Sequence, residues 1–353
     1  RAKEVLISSG SIERPLVFGN NDTPGVMLSS AAKEYIKVYG VLVGKKPLIF
    51  TNNDSGYETA IEFKKNGVNP LILDTRKEPS SDIISEAKNL GIEIKFSHVV
   101  VAAKGYKKVK SADIAKISDN KKDLSNIENI ECDCICVSGF WTPSIHLASQ
   151  SGNKSEFNEK IDAFIPKKSK QKENTIGSAN GKFTLEETIN EAFNKGYEVS
   201  NKITENNNKV SIPTVVEKKS TEHDKFWCVP LPKGKSYKRF LDFQNDVAVT
   251  DIELALREGF RSIEHVKRYT TLGMATDQGK TSNLNGLQLV SDIENKVVPQ
   301  VGHTTFRPPY TPVSIGAIVG REVGKHSKPT RKSPMHEWHE KNNAVFVDAG
   351  VWL

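Results

Sequence analysis

Residues 273–281, GMATDQGKT, come close to the phosphate-binding P-loop of nucleotide-binding proteins. A P-loop has four residues between its first glycine and the Gly-Lys-Ser/Thr that ends it. Here five residues separate Gly273 from Gly279. A P-loop also follows a strand, whereas this segment follows a predicted helix at residues 262–268. We therefore predict that Lys280 belongs to another kind of loop and does not bind the phosphates of ATP.

The turn after the predicted strand at residues 46–50 is a second candidate for nucleotide binding. Dinucleotide-binding domains carry Gly-x-Gly-x-x-Gly here, because the first two glycines permit a tight turn and a close approach of the pyrophosphate. Residues 51–56, TNNDSG, keep only the last glycine, and Asp54 adds negative charge. Asp74, at the end of the next predicted strand, stands where an acid would bind the ribose. We expect a Rossmann unit that has kept its packing and lost its nucleotide.

Two further groups of residues have side chains that could bind a metal. Cys132, Cys134 and Cys136 alternate along a predicted strand, so their thiols are expected on one face. That pattern is more typical of a buried face of small residues than of a metal site. His336 and His339 could share a helical face, but their spacing is not that of His-Glu-x-x-His and further ligands do not follow nearby. We predict no metal site.

The composition indicates a packed protein and disfavours several classes of function. The 353 residues, 37% of them hydrophobic and 26% charged, allow two or three domains. The net charge is +7 without a basic stripe interleaved with aromatic residues, so nucleic-acid binding is not predicted. We see no apolar run of membrane-spanning length and no signal peptide. Three of the four cysteines are crowded together, which argues against a disulfide framework and favours a cytoplasmic location.

Predicted strands and helices alternate over the first part of the chain, which favours a parallel sheet of the doubly wound α/β class. The strands are expected at residues 5–10, 46–50, 69–74, 92–96, 99–103 and 132–139, and the helices at 31–39, 57–66 and 81–90. A later helix should begin after Gly181 and end near Asn194. Beyond Trp227, a compact segment is predicted, with helices at 250–258 and 262–268 and another that starts near Asn283.

Longer motifs extend from one end of the chain to the other. They are ISSGSIERP at residues 7–15, NNDTPGV at 20–26, LDFQNDV at 241–247, EGFRSIEHVKRYTTLGMATDQGK at 258–280, FRPPYTPV at 306–313 and PMHEWH at 334–339. Together they resemble the alpha subunit of heterotetrameric sarcosine oxidase. The resemblance implies an internal part of that subunit, without its N-terminal part and most of its C-terminal folate domain.

The resemblance implies a two-dinucleotide-domain Rossmann fold of the FAD/NAD-binding, glutathione-reductase-like type, followed by a small helical domain. It divides the chain into part of the first dinucleotide-binding domain at residues 1–40, the inserted second Rossmann-like domain at 41–165, a return to the first domain and a linker at 166–215, a helical domain like a two-iron cluster domain without its cysteines at 216–325, and the start of an aminomethyltransferase-like folate domain at 326–353.

The family demethylates sarcosine oxidatively to glycine, forms hydrogen peroxide, and passes the one-carbon unit to tetrahydrofolate or releases it as formaldehyde. The resemblance implies NAD in this alpha subunit, FMN at its interface with the beta subunit, FAD in the beta subunit, and tetrahydrofolate in the C-terminal domain. The implied partners are the beta, gamma and delta subunits, with sarcosine and folate as substrates. This chain alone is expected to be inactive.

Two sets of residues are implied as cofactor-binding. Those near the dinucleotide lie in turns and at a helix start, and are Ser9, Gly10, Gly177, Ser178, Ala179, Thr184 and Leu185. Those expected to form a polar, cationic edge toward the FMN phosphate are Arg268, Thr270, Thr271, Gln278, Gly279, Lys280 and Thr281. The residues that carry out catalysis stay unassigned.

Subunits of related amine and imino-acid dehydrogenases carry a two-iron cluster in the corresponding small domain, held by Cys-x-Cys and Cys-x4-Cys. An opine or hydroxyproline dehydrogenase alpha subunit is the second possibility for this chain. The matching positions here are Asp242, Gln244, Asp277 and Ser282, which cannot replace four thiolates. This difference favours the oxidase over its cluster-containing relatives. A scaffold subunit that only docks a flavoprotein is the third possibility. Residues 273–281 are thus interpreted as a cluster-binding loop without its cluster.

Overall fold

The computed structural model describes residues 2–169, 171–204, 211–215, 222–320, 324 and 329–353. The chain forms two compact units, Arg1–Tyr310 and Thr311–Leu353. The domain boundaries expected at residues 215–216 and 325–326 involve positions outside the described residues, so that division stays a prediction. Among the described residues, every helix is too short or too polar to cross a membrane.

The strands of the described residues are, in chain order, β1 (Val5–Ile7), β2 (Ser11–Glu13), β3 (Val26–Leu28), β4 (Pro47–Thr51), β5 (Leu71–Asp74), β6 (Glu93–Phe96), β7 (His98–Lys104), β8 (Ser111–Ile117), β9 (Leu124–Glu131), β10 (Cys134–Ser138), β11 (Trp141–Pro143), β12 (Ser155–Asn158), β13 (Ala163–Pro166), β14 (Glu173–Thr175), β15 (Phe240–Asp242) and β16 (Val247–Ala248). The helices are α1 (Ser29–Tyr39), α2 (Ser55–Lys65), α3 (Asp82–Asn89), α4 (His146–Gln150), α5 (Leu185–Thr204), α6 (Val249–Arg257), α7 (Ile263–Thr270), α8 (Asn283–Glu294), α9 (Val298–Val301), α10 (Ile315–Val319) and α11 (His336–Lys341).

A parallel sheet with the strand order β3-β10-β4-β5-β6 joins four strands of the predicted second Rossmann-like domain with β3 from the predicted first one. Both β4 and β10 are buried along their whole length, as expected for apolar strands covered on two faces. One face packs against Ile36, Tyr57 and Ile84 of the flanking helices. The other packs against the antiparallel meander β7-β8-β9. The predicted α/β fold is confirmed.

The prediction that three thiols share one face is wrong for Cys132. Cys134 and Cys136 lie within β10 and pack toward the helices, but Cys132 precedes the strand and packs with the meander. The turn between them is fixed by Asp133, whose carboxylate accepts the Lys45 and Lys46 amides at 2.7 and 2.8 Å. The alternation of side chains therefore starts only at Cys134. Burial raises the pKa of Cys132 to about 12, so its thiol stays protonated.

Two further pairs of short strands lie outside this sheet. The strands β1 and β14 pair in parallel, and β2 pairs antiparallel with β11. A 3-10 helix, Gly177–Asn180, follows β14 and leads into α5. The helix α5 continues to Thr204, whereas the sequence predicted its end near Asn194. An ion pair between Lys195 and Glu198, one turn apart, stabilises the additional length.

The last part of the first unit is a helical domain that begins with the hairpin β15–β16. The helices α6, α7 and α8 coincide within two residues with the predicted ones at 250–258, 262–268 and near 283. Their apolar faces meet in one cluster that includes Ile252, Leu256, Val266 and Leu287. The predicted small helical domain after the Rossmann domains is therefore confirmed.

Glu13 is a buried carboxyl group whose ionisation should affect the stability of the fold. Its carboxylate is 2% exposed, and its Oε2 accepts the Ser30 amide at 2.7 Å. Burial raises the pKa of Glu13, against hydrogen bonds from Ser30 and Ser138 that lower it. Ionising a carboxyl of raised pKa destabilises the fold as pH rises from its ordinary pKa through the raised one.

We expect Glu13→Gln to raise the melting temperature at pH 8 and to leave it unchanged at pH 4, since glutamine has no charge to desolvate. Thermal melts of both proteins across this pH range measure the difference. Asp119→Asn, which removes an exposed carboxylate, is the control. Equal melting temperatures for the wild type and Glu13→Gln at pH 8 would contradict the prediction.

Candidate functional site

The turns after β1 and β14 lie at the same edge because the two strands run in parallel. Ile7 pairs with Thr175, and the Ile176 amide donates to the Ile7 carbonyl at 2.9 Å. This places the predicted dinucleotide residues Ser9 and Gly10 on the same edge as Gly177. The Ser9 hydroxyl donates to the Ser144 carbonyl at 2.6 Å.

Gly10 leaves room for a ligand against the backbone. Its φ is +76°, a conformation that favours glycine, and a Cβ placed there would meet no atom of the described residues within 4 Å. A cofactor could therefore approach this turn closely. The observation fits the dinucleotide contact that the resemblance implies for Ser9 and Gly10.

The second turn is already partly occupied by a side chain of α5. The Gly177 amide donates to Glu191 Oε2 at 2.6 Å, and the Asn180 amide group donates to Glu191 Oε1 at 2.7 Å. Next to them, Ala179 is buried and Ser178 half-buried. An ionised carboxylate accepts hydrogen bonds and repels anions, so this turn suits a ribose hydroxyl better than a pyrophosphate.

Thr184 and Leu185 have a structural role at the start of α5. The Thr184 hydroxyl accepts the Glu187 amide at 3.2 Å, and the Glu187 carboxylate accepts the Thr184 amide at 3.5 Å. This reciprocal arrangement is a capping box. Leu185 follows it with its side chain half-exposed. Contact of either residue with a dinucleotide stays a prediction.

Residues 273–281 wrap around the side chain of Asn283. A Cβ on Gly273 or on Gly279 would lie 2.2 Å from Asn283 Oδ1, and both glycines have positive φ. The Asn283 Nδ2 donates to the Gln278 carbonyl at 2.7 Å. The two glycines are therefore required by an internal contact of the loop, and the resemblance to a P-loop is accidental.

Two of the four positions that match cluster ligands, Asp242 and Asp277, hold their loops by hydrogen bonds to backbone amides. Buried Asp242 accepts the Gly273 amide at 2.7 Å and the Gln244 amide at 2.9 Å. Asp277 accepts the Gly279 amide at 3.1 Å, and Ser282 is buried beside it. In the described ranges, no three histidine, cysteine, aspartate or glutamate side chains come together as a metal site.

Lys280 lies in an aromatic environment. Its Nζ is 4.5 Å from the centre of the Tyr310 ring, and the His146 ring stacks on Tyr310 at 3.9 Å. Burial, followed by the charge of Lys280, lowers the pKa of His146. Gly279 and Lys280 line a cavity of about 50 Å³, together with Thr142, Thr304, Phe306 and Tyr310.

Gln278 fixes the loop that carries Tyr310. Its Nε2 donates to the carbonyls of Arg307 and Pro309, at 2.7 and 3.1 Å, and its Oε1 accepts the Arg307 amide at 2.8 Å. Gln278 itself has a φ of +52°. The side chain thus joins residues 273–281 to the loop before Tyr310 and positions the ring beside Lys280.

The remaining residues of the predicted flavin edge lie elsewhere. Arg268 is exposed and pairs with Glu264 one turn away on its own helix, at 3.9 Å. The Thr270 hydroxyl donates to the Val266 carbonyl, and Thr271 ends α7 in a left-handed conformation. Thr281 lines a separate depression of about 540 Å³.

His146 and Tyr310 are not among the residues that the sequence predicts for a cofactor site. Tyr310 lies in the FRPPYTPV motif at residues 306–313, which could have drawn attention to it. His146 reaches the cavity only through tertiary packing, for which the sequence carries no local signal.

Comparison with solved structures shows the shared fold. The L-proline dehydrogenase of P. horikoshii superposes with a TM-score of 0.55 at 21% identity, over 91% of this chain and 59% of that one. Residues 236–321 match the family model described as the sarcosine oxidase A3 domain. The match covers the helical domain and includes residues 273–281.

Curated relatives match over the whole chain. The sarcosine oxidase subunit alpha of Rhizobium meliloti (strain 1021) is 37% identical over 99% of this chain, which covers 34% of that protein. That of Corynebacterium sp. (strain P-1) is 32% identical over 100% of this chain, which covers 37% of it. The chain therefore spans about a third of the length of these relatives. The resemblance seen in the motifs is confirmed: along its whole length the chain is similar to sarcosine oxidase alpha subunits.

Proposed function

We propose that this chain is the central part of the alpha subunit of a heterotetrameric sarcosine oxidase. The complete enzyme would demethylate sarcosine to glycine, form hydrogen peroxide, and pass the one-carbon unit to tetrahydrofolate or release it as formaldehyde. The observation that carries this proposal is the similarity to sarcosine oxidase alpha subunits along the whole chain. The beta, gamma and delta subunits would be its partners.

In this proposal NAD lies at the edge formed by the turns after β1 and β14. The open backbone at Gly10 would accept the cofactor closely, and the Glu191 carboxylate would accept a ribose hydroxyl. Ser9, Gly177, Ser178, Ala179, Thr184 and Leu185 complete this set. FAD in the beta subunit and FMN at the interface would supply the oxidation of the amine when bound. The residues of this chain would bind and orient cofactors, and we assign no catalytic residue to it.

Lys280 is the residue best suited to face the FMN phosphate. In the described part of the chain its ammonium group approaches an aromatic ring rather than a carboxylate, which favours pairing with an anion from outside. Gln278 and Gly279 would support it by holding the loop. Arg268, Thr270, Thr271 and Thr281 would contribute more distant parts of this edge.

We expect Lys280→Ala to reduce the FMN retained by the purified complex on the order of tenfold, since a charge-assisted contact to phosphate is lost. Lys280→Arg should restore most of it. Lys296→Ala, which removes a lysine paired with Glu294, is the matched control. Flavin extraction and chromatography measure the content. An unchanged FMN content in Lys280→Ala would exclude this role while leaving the family assignment intact.

Two alternatives give different results in the same purified complex. An opine or hydroxyproline dehydrogenase-type alpha subunit would show iron–sulfur absorbance, but the cluster positions are engaged in hydrogen bonds through Asp242 and Asp277. A scaffold subunit would release no NAD on extraction of the intact complex. Sarcosine-dependent peroxide formation, with NAD recovered and no iron–sulfur band, is the result expected for the oxidase.

A further inference from the structure

The crevice of the second dinucleotide domain lies where β4 and β10 end side by side. In an open parallel sheet, this switch point is where a dinucleotide binds. The helix α2 begins here, yet Asn53 Oδ1 accepts the Ser55 amide at 2.8 Å, and the Trp141 ring nitrogen donates to the Ser55 hydroxyl at 2.8 Å. Side chains of the protein therefore occupy the helix N-terminus that would receive a pyrophosphate.

The one glycine retained from the fingerprint has a packing function. A Cβ on Gly56 would lie 2.6 Å from Thr51 Cβ, so glycine is required for the close approach of α2 to β4. The two positions that would admit the pyrophosphate carry Thr51 and Asn53, both buried. The geometry of this turn does not fit a dinucleotide.

The acid expected to bind ribose is engaged inside the protein. Asp74 is fully buried, pairs with Arg76 at 2.8 Å and accepts the Tyr57 hydroxyl at 2.7 Å. Arg76 also pairs with Asp54 at 2.8 Å. Its NH1 donates further to the Glu222 carbonyl at 3.3 Å. This buried network connects the crevice to a distant part of the chain.

Residues 222–226 run along the crevice and bind its edge through their backbone. His223 forms an antiparallel bridge with Asn53. The Asp224 amide donates to the Asn52 carbonyl at 2.9 Å, and Asn52 Nδ2 donates to the Asp224 carbonyl at 2.8 Å. The segment therefore pairs with the turn that follows β4, as an added strand would.

The side chains of this segment fill the crevice as well. The His223 ring stacks on Phe140 at 4.0 Å with an angle of 7° between the planes. The Asp224 carboxylate accepts the Thr75 hydroxyl at 2.8 Å and pairs with Lys121 at 2.7 Å. A stacked ring and a bound anion are the two groups that a nucleotide would present to a protein.

We propose that residues 222–226 act as a built-in peptide ligand that permanently occupies the dinucleotide crevice of the second domain. A dinucleotide and this segment would compete for the same backbone and the same ring surface. The second domain then binds no nucleotide, and its crevice serves to hold this segment in place. The inference does not depend on the reaction proposed above or on NAD in the first domain.

Limited proteolysis of the intact subunit in its complex tests this proposal. Trypsin can cleave after Lys225, whose side chain is exposed, but Phe226 is buried and its amide donates to the Asp224 carbonyl at 2.8 Å. We expect slow cleavage here in the wild type, with or without added NAD⁺, NADH or ATP. Asp224→Ala should increase the cleavage rate on the order of tenfold, because proteolysis follows the population of the opened segment.

Asp119→Ala is the matched control, since it removes an exposed carboxylate that lines the same surface depression as residues 222–225 but pairs with Lys77. Its cleavage rate should equal that of the wild type. If Asp224→Ala does not fold, Lys121→Met removes the ion pair and keeps the carboxylate, and faster cleavage is again expected. The proposal would be overturned if the variant that folds were cleaved at the same rate as the wild type. It would also be overturned if a nucleotide made the wild type easier to cleave after Lys225.

Discussion

Replacing Arg14 with methionine is expected to destabilise the first unit by about 3 kcal/mol or more, because two buried carbonyls lose their donor. Arg14 is 2% exposed. Its Nε donates to the Gly139 carbonyl at 2.7 Å, and its NH1 donates to the Asp162 carbonyl at 3.1 Å. The guanidinium also lies 4.2 Å from the centre of the Trp227 ring. Burial lowers the pKa of Arg14 to about 9, so the group remains charged at neutral pH.

Urea denaturation monitored by tryptophan fluorescence measures this effect. Arg14→Lys should lie between the wild type and Arg14→Met, since lysine keeps the charge but cannot reach both carbonyls with a planar fork. Arg257→Met, at the exposed end of α6, is the control and should change the free energy of unfolding little. If Arg14→Met were as stable as this control, the hydrogen bonds from Arg14 to the Gly139 and Asp162 carbonyls would not stabilise the fold.

The second large effect is expected at residues 273–281. Gly279→Ala should cost about 1–2 kcal/mol for the left-handed backbone and about 1–3 kcal/mol more for the overlap with Asn283. Gly279 has a φ of +70°, and its added Cβ would lie 2.2 Å from Asn283 Oδ1. Gly259 lies in the same domain with a φ of +94°, and a Cβ there would meet no atom within 4 Å in the part of the chain that the structure describes. Gly259→Ala should therefore cost only the backbone part.

A double-mutant cycle separates the two contributions. In an Asn283→Ala background the overlap is relieved, so Gly279→Ala should cost about as much as Gly259→Ala. Asn283→Ala alone gives the reference for the lost hydrogen bond to Gln278. Equal costs for Gly279→Ala in both backgrounds would show that the loop does not close around Asn283.

The sequence was sufficient to predict those parts of the fold that depend on local patterns. The apolar runs around β4, β5 and β10 alternate with amphipathic helices, so the α/β class followed from spacing alone. The three helices of the small domain were found because glycine or turn residues follow α6 and α7. The predicted face for Cys132 is wrong because β10 begins only at Cys134, and an alternating pattern does not define where a strand begins.

The candidate sites could be predicted only in part. The poor fit of residues 51–56 to a dinucleotide was visible because the requirement for glycine is local. The presence of His223 and Asp224 in the crevice at the ends of β4 and β10 could not be predicted, since it depends on pairing between remote segments of the chain. Likewise, Lys280 was singled out by its loop, but its contact with Tyr310 required the tertiary structure.

The bonds around Asp242 and Asn283 have a consequence for how the helical domain reaches its folded form. A domain closed by a metal cluster folds only where the metal is supplied, and it opens when a chelator removes that metal. Here the two loops are closed by side chains that the chain itself provides. We therefore expect the domain to fold equally well in iron-starved cells, in air and in the presence of chelators.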